Sequence, residues 1–141
     1  MRLLLPLLCL ALFGCKPVPA TQVETEPPSI ALPAGVQELG PAEAAAWMAQ
    51  TPDAFILDLR MPEEIEREGK LTGSQNYDYL QPATQEYLAT LDRQKPVLVY
   101  CALGGRSKLA AVEMHRMGFT RLALLKGGLD AWLKEGRPVV K

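Results

Sequence analysis

Three short, uninterrupted apolar runs constrain this chain more than any other feature: Phe55-Ile56-Leu57, Val97-Leu98-Val99-Tyr100 and Leu122-Ala123-Leu124-Leu125. A strand with one wet face alternates apolar and polar residues. A strand that is apolar at every position has both faces covered. Each run is followed by a turn and a segment of helical spacing, so strands and helices alternate. That pattern predicts an α/β fold, a central parallel sheet of about five strands with helices on both faces. The expected helices cover residues 41–48, 62–68, 81–91 and 106–117, and a last one lies around Ala131, Trp132 and Leu133. Residues 74–77 read as a further brief strand. Pro41 opens the first helix, and Gly69 and Gly118 close the second and fourth. Tyr87, Leu88 and Leu91 share one face of the third helix. Leu109, Ala110, Met114 and Met117 are expected to point inward from the fourth, and Trp47 and Trp132 to anchor the core. In such folds ligands lie beyond the carboxyl ends of the strands.

The chain has 141 residues, 48% hydrophobic and 22% charged, with a formal net charge of -1. This is one ordinary domain, and the charge balance excludes a basic nucleic-acid surface. One His and three scattered Cys cannot assemble a zinc site of the usual kind, and no cofactor is called for. Arg2 precedes an apolar stretch, residues 3–13, that is too short to span a bilayer. It ends in Leu12-Phe13-Gly14-Cys15, which resembles the bacterial lipoprotein signal. The resemblance implies that residues 1–14 are removed and Cys15 is lipidated. Residues 15–34, rich in proline, then read as a tether, and residues 35–141 as the folded domain. Lys16 stands where an Asp would signal inner-membrane retention. The expected location is therefore a periplasm-facing, lipid-anchored membrane protein, with the outer membrane favoured.

This assignment leaves Cys101 as the lone free thiol, since Cys9 departs with the signal and Cys15 carries lipid. Cys101 follows the carboxyl end of its strand. It opens the loop Ala102-Leu103-Gly104-Gly105, and Arg106-Ser107 then enters a helix. A glycine-bearing turn at a helix N-terminus gathers backbone N–H groups around an anion. Such a site, with Arg106 beside it, favours the thiolate, which is the nucleophile. Ser107 can hydrogen-bond the sulfur or cap the helix. Ala102 and Leu103 make the rim apolar on one side, which suggests a substrate that is not wholly charged.

Asp58 and Arg60 end the first buried strand on the same sheet edge. Arg60 either adds positive potential near a substrate or sits in an ion pair that fixes the rim, with Asp58 as its structural partner. Lys108 and Lys126 could steer anions but read as solvated. His115 reads as a surface residue, and Glu63, Glu64, Glu66 and Glu68 as a solvated helix face.

Five segments resemble the single-domain rhodanese family in order and spacing. They are Asp58-Leu59-Arg60, residues 68–74, Cys101 through Ser107, Gly118-Phe119, and residues 125–132 with Gly127-Gly128 and Ala131-Trp132. One departure is Lys70, where the family usually has His. The resemblance implies a small α/β domain that transfers sulfur. Cys101 would take the outer sulfur of a donor such as thiosulfate, become a persulfide, and pass the sulfur to cyanide or a thiol. Ala102, Leu103, Gly104, Gly105, Arg106, Ser107 and Arg60 would surround the substrate, and a periplasmic thiol-redox protein is a possible partner. Related phosphatases and arsenate reductases place five residues between Cys and Arg, whereas this chain has four. A different class of reading remains: a membrane-tethered thiol sensor or partner-binding module with little turnover.

Overall fold

Residues 30–141 are described by a computed structural model. The expected signal, Cys15 and most of the tether lie outside the described residues. Strand β1 is Gln37–Leu39, followed by α1 (Pro41–Gln50), β2 (Phe55–Asp58), α2 (Pro62–Glu68) and β3 (Gln75–Asn76). The chain continues through α3 (Pro82–Thr90), β4 (Val97–Tyr100), α4 (Gly105–Arg116), β5 (Leu122–Leu125) and α5 (Gly128–Lys134). The five strands form one sheet in the order β1-β5-β4-β2-β3, and every pairing is parallel.

The three apolar runs occupy the middle of this sheet, as their composition requires. All four residues of β4 and all four of β5 are buried. One face packs Phe55, Leu57, Val97, Val99, Leu122 and Leu124 against Leu88 of α3 and Ala110, Ala111 and Met114 of α4. The other face packs Ile56, Tyr100 and Leu125 against Ala44 of α1 and Leu129 and Trp132 of α5. Each large side chain so covered contributes about 1.5–3 kcal/mol. The register sets Asp58 beside Tyr100.

Two expectations about the core are corrected. Leu109 is 44% exposed, and the inward face of α4 is Ser107, Ala110, Ala111 and Met114. That set follows the i, i+3, i+4, i+7 rule, from which Leu109 is displaced by one residue. Trp47 is only half-buried and lines a cleft at the amino-terminal edge with Gly35, Thr120 and Arg121. Trp132 does reach the core, its Nε1 donating to the Pro138 carbonyl at 2.9 Å. Strand β1 carries no apolar run, because it is an edge strand with Gln37 and Glu38 exposed. Leu32, from the end of the expected tether, already packs against the core.

Candidate active site

Strand β4 runs through the centre of the sheet and delivers Cys101 to its carboxyl edge. The side chain is 1% exposed, under the loop that follows. The Gly104 N–H donates to Cys101 Sγ at 3.1 Å, and Ser107 Oγ lies 3.7 Å from the sulfur. The Ser107 hydroxyl donates to the Gly104 carbonyl at 2.9 Å. The same carbonyl accepts the Lys108 N–H at 3.1 Å, so Ser107 both flanks the sulfur and ties the first turn of α4. Gly104 has φ 101°, a left-handed conformation that a side chain disfavours, and it folds the loop back so that its N–H meets the sulfur.

A second helix holds the loop from behind. The Leu129 N–H donates to the Cys101 carbonyl at 2.8 Å, and the Asp130 N–H to the Ala102 carbonyl at 3.0 Å. These are otherwise unpaired donors of the first turn of α5. In a trans peptide the C=O and N–H point in opposite directions. Tying these two carbonyls to α5 therefore turns the Ala102 and Leu103 N–H groups away from α5. Gly128 lets the helix approach: a Cβ there would stand 2.4 Å from the Ala102 oxygen and 2.5 Å from the Cys101 oxygen.

Arg106 is engaged differently from the sequence reading. Its Nη1 and Nη2 each donate to a Glu64 carboxylate oxygen at 2.7 Å. Glu64 is therefore not part of a solvated face. Pro62 starts α2, which sets Glu64 at its third position, where the carboxylate also accepts the Met61 N–H at 2.8 Å. The Arg106 hydrogen bonds, opposed by burial and helped by Met61, lower the Glu64 pKa to about 2. Glu64 in turn raises that of Arg106 against burial, and Cys101 adds a smaller part, so the expected attraction between Arg106 and the sulfur is present beside the pair with Glu64. The charge expected to serve the thiolate is thus largely balanced.

A buried polar cluster lies at the carboxyl end of β2, around Asp58 and Arg60. Arg60 Nη2 donates to Asp58 Oδ2 at 2.7 Å and to the Gly69 carbonyl at 2.7 Å, and its Nε donates to Asp58 Oδ1 at 3.0 Å. Glu68 completes the pairing at 3.3 Å. The Tyr100 hydroxyl donates to Asp58 Oδ2 at 2.6 Å and accepts the Leu71 N–H at 3.1 Å. Burial and then the Asp58 charge push the Tyr100 phenol well above its ordinary value. Arg60 is 0% exposed and has no surface to offer a substrate, so the reading that gave it a substrate contact is replaced by the rim clamp. Lys108 is likewise held by Glu38 at 2.9 Å, whereas Lys126 is exposed. Ala102 is half-buried, Gly105 is exposed, and Leu103 is 72% exposed at the rim.

The sequence reading brought together Cys101, Gly104 and Ser107 but missed Glu64, Tyr100 and the α5 donors. Signals existed for two of them. A Pro-x-Glu helix start turns a carboxylate back on its own cap, and a tyrosine inside an apolar run needs a partner for its hydroxyl.

The Rhodanese-like domain family matches residues 40–135, a span from α1 through α5 that includes the Cys101 loop and both of its supports. The chain belongs to this family. Among curated relatives of this rhodanese-like chain is a sulfurtransferase of Allochromatium vinosum. It is 29% identical over 105 residues, covering 74% of this chain and 95% of the relative. The thiosulfate sulfurtransferase GlpE of Coxiella burnetii is 35% identical over 89 residues, covering 62% and 79%. Among solved structures, the polysulfide-sulfur transferase homodimer of Wolinella succinogenes has TM-score 0.63 and 31% identity, covering 76% of this chain and 80% of that one. A Rhodopseudomonas palustris protein described as a possible tyrosine phosphatase has TM-score 0.62 and 34% identity, covering 74% and 84%. Three of these four proteins are named for sulfur transfer and one as a possible phosphatase.

Proposed function

We propose that this protein is a sulfurtransferase that works through a Cys101 persulfide. The observation that carries the reading is the sulfur itself, set at the end of a central strand and met by the Gly104 N–H. The Cys101 thiolate attacks the outer sulfur of a donor such as thiosulfate. The Sγ–S bond forms, the donor S–S bond breaks, and its electron pair leaves with sulfite. An acceptor, cyanide or a thiol, then attacks the outer sulfur and restores the Cys101 thiolate. The terminal sulfur is anionic between the two steps, and the N–H groups of the loop and of the α4 first turn oppose that charge without reorganising. The sulfur transferred is neither oxidised nor reduced, so no redox cofactor is required. The four-residue spacing between Cys101 and Arg106 favours this reading over a phosphatase, whose wider loop encircles a tetrahedral oxyanion. Intact mass after thiosulfate should rise by one sulfur and return on cyanide treatment. Persistence of that gain in Cys101→Ser would sink the proposal.

We further propose that the domain is tethered by lipidated Cys15 and faces the periplasm, from the outer membrane, where a thiol-redox protein is a suitable acceptor. The Gly14-Cys15 junction after the apolar stretch supports this. Globomycin treatment should accumulate the unprocessed precursor, and normal processing under the inhibitor would refute the anchor.

A further inference from the structure

We infer that the mouth of the Cys101 loop selects a sulfane sulfur carried on an uncharged, apolar body, an organic persulfide, over the dianion thiosulfate. The inference rests on the sulfurtransferase reading and concerns which donor that site takes. A dianion gains most from free cations, and those at the carboxyl edge of the sheet are already engaged. Arg106 is spent in a two-pronged pair with Glu64, and Arg60 is buried against Asp58 and Glu68. Lys108 is held by Glu38. Among the described residues, Lys126 is the one cation in the strand-end loops without an ion pair. Exposed Glu63 and Glu66 stand on α2, the helix that Glu64 ties to Arg106.

The rim has the complementary character. Leu103 is 72% exposed in the loop and Met61 is 38% exposed at the start of α2. Glu64 Oε2 accepts both the Met61 N–H at 2.8 Å and Arg106 Nη1 at 2.7 Å, which ties the start of α2 to the first turn of α4, just after the loop that carries Leu103. Two exposed apolar side chains thus stand on tied segments at the same sheet edge as the buried thiol. Apolar area that stays wet in the free protein is covered only when an apolar donor docks. What must be anionic, the transferred sulfur, meets N–H groups inside the loop, while the carrier rests outside on Leu103 and Met61.

The step balances for this donor. The Cys101 thiolate attacks the terminal sulfur of R–S–SH, the Sγ–S bond forms and the S–S bond of the donor breaks. The electron pair departs as RS⁻, which takes the persulfide proton and leaves as a neutral thiol. The Cys101 persulfide remains as the anion.

The full-length chain in neutral detergent would be loaded with thiosulfate, with benzyl hydropersulfide, or with the persulfide of an uncharged, capped cysteine tripeptide. Sulfur gain on Cys101 would be timed by intact mass, in the wild type and in Leu103→Lys. One added cation at the rim changes the attraction for a nearby anion by about threefold to tenfold. The expected result is faster loading from at least one organic persulfide than from thiosulfate, with Leu103→Lys raising the thiosulfate rate and lowering the persulfide rate by that factor. Preference for the benzyl donor would identify a small-molecule carrier, and preference for the peptide a protein cysteine. Thiosulfate loading as fast as either persulfide, with Leu103→Lys leaving both rates unchanged, would overturn the inference and leave sulfur transfer standing. Loading from none of the three would overturn the sulfurtransferase reading as well.

Discussion

Replacing Glu64 by Gln removes one charge while keeping nearly the same shape. The amide oxygen can still accept the Met61 N–H, so the change isolates the ionic part of the pair with Arg106. The carboxyl group is lowered from 4.5 to about 2 in the folded protein, and its side chain is only 11% exposed, so solvent screens little of the interaction. A shift of that size corresponds to about 3 kcal/mol at about 1.36 kcal/mol per pH unit. Because the folded value lies below the unfolded one, this stability is fully present above the unfolded value. It is lost as pH falls through the folded value, within the window from 4.5 down to about 2. Urea unfolding of the full-length chain in detergent, followed by tryptophan fluorescence, should find Glu64→Gln less stable by about 3 kcal/mol at pH 7. At about pH 3 the gap should shrink to about 1.4 kcal/mol, because the wild type is then losing the same charge. A gap that is absent at pH 7, or of equal size at both pH values, would refute the view that the Arg106 charge is balanced by a buried carboxylate.

Gly128→Ala should be costly for two reasons: a left-handed φ of 64° and a Cβ within 2.6 Å of the Ala102 carbonyl. Strain of about 1–2 kcal/mol and overpacking of about 1–3 kcal/mol add, and thermal unfolding that matches the wild type would contradict the close approach of α5. Tyr100→Phe removes the hydroxyl shared by Asp58 and the Leu71 N–H, leaving that buried N–H without its partner. A loss of about 1–3 kcal/mol is expected in urea unfolding, and no loss would mean that water replaces the phenol.

How legible the molecule was depended on how far apart in sequence the cooperating residues lie. The three inner strands announced themselves because burial on both faces demands an unbroken apolar run, and their helices followed from turn residues. Cys101, Gly104 and Ser107 were legible because strand, loop and helix start are contiguous. Glu64 was hidden among four glutamates, and its partner Arg106 stands 42 residues later, brought close only by the β2–β4 pairing. Arg60 offered two readings, and the choice between them needed its burial. Strand β1 was invisible because an edge strand has one neighbour and tolerates exposed Gln37 and Glu38. Leu109 was misplaced because one residue along a helix turns a side chain by about 100°.

The two hydrogen bonds from Leu129 and Asp130 to the carbonyls of Cys101 and Ala102 make the geometry around this thiol dependent on chain not yet made when Cys101 itself is added. A growing polypeptide can contain the cysteine, its glycines and its arginine and still lack the helix that sets their peptide planes. The shape of this loop is therefore acquired late: a chain halted before α5 carries the thiol without the two bonds that set its peptide planes.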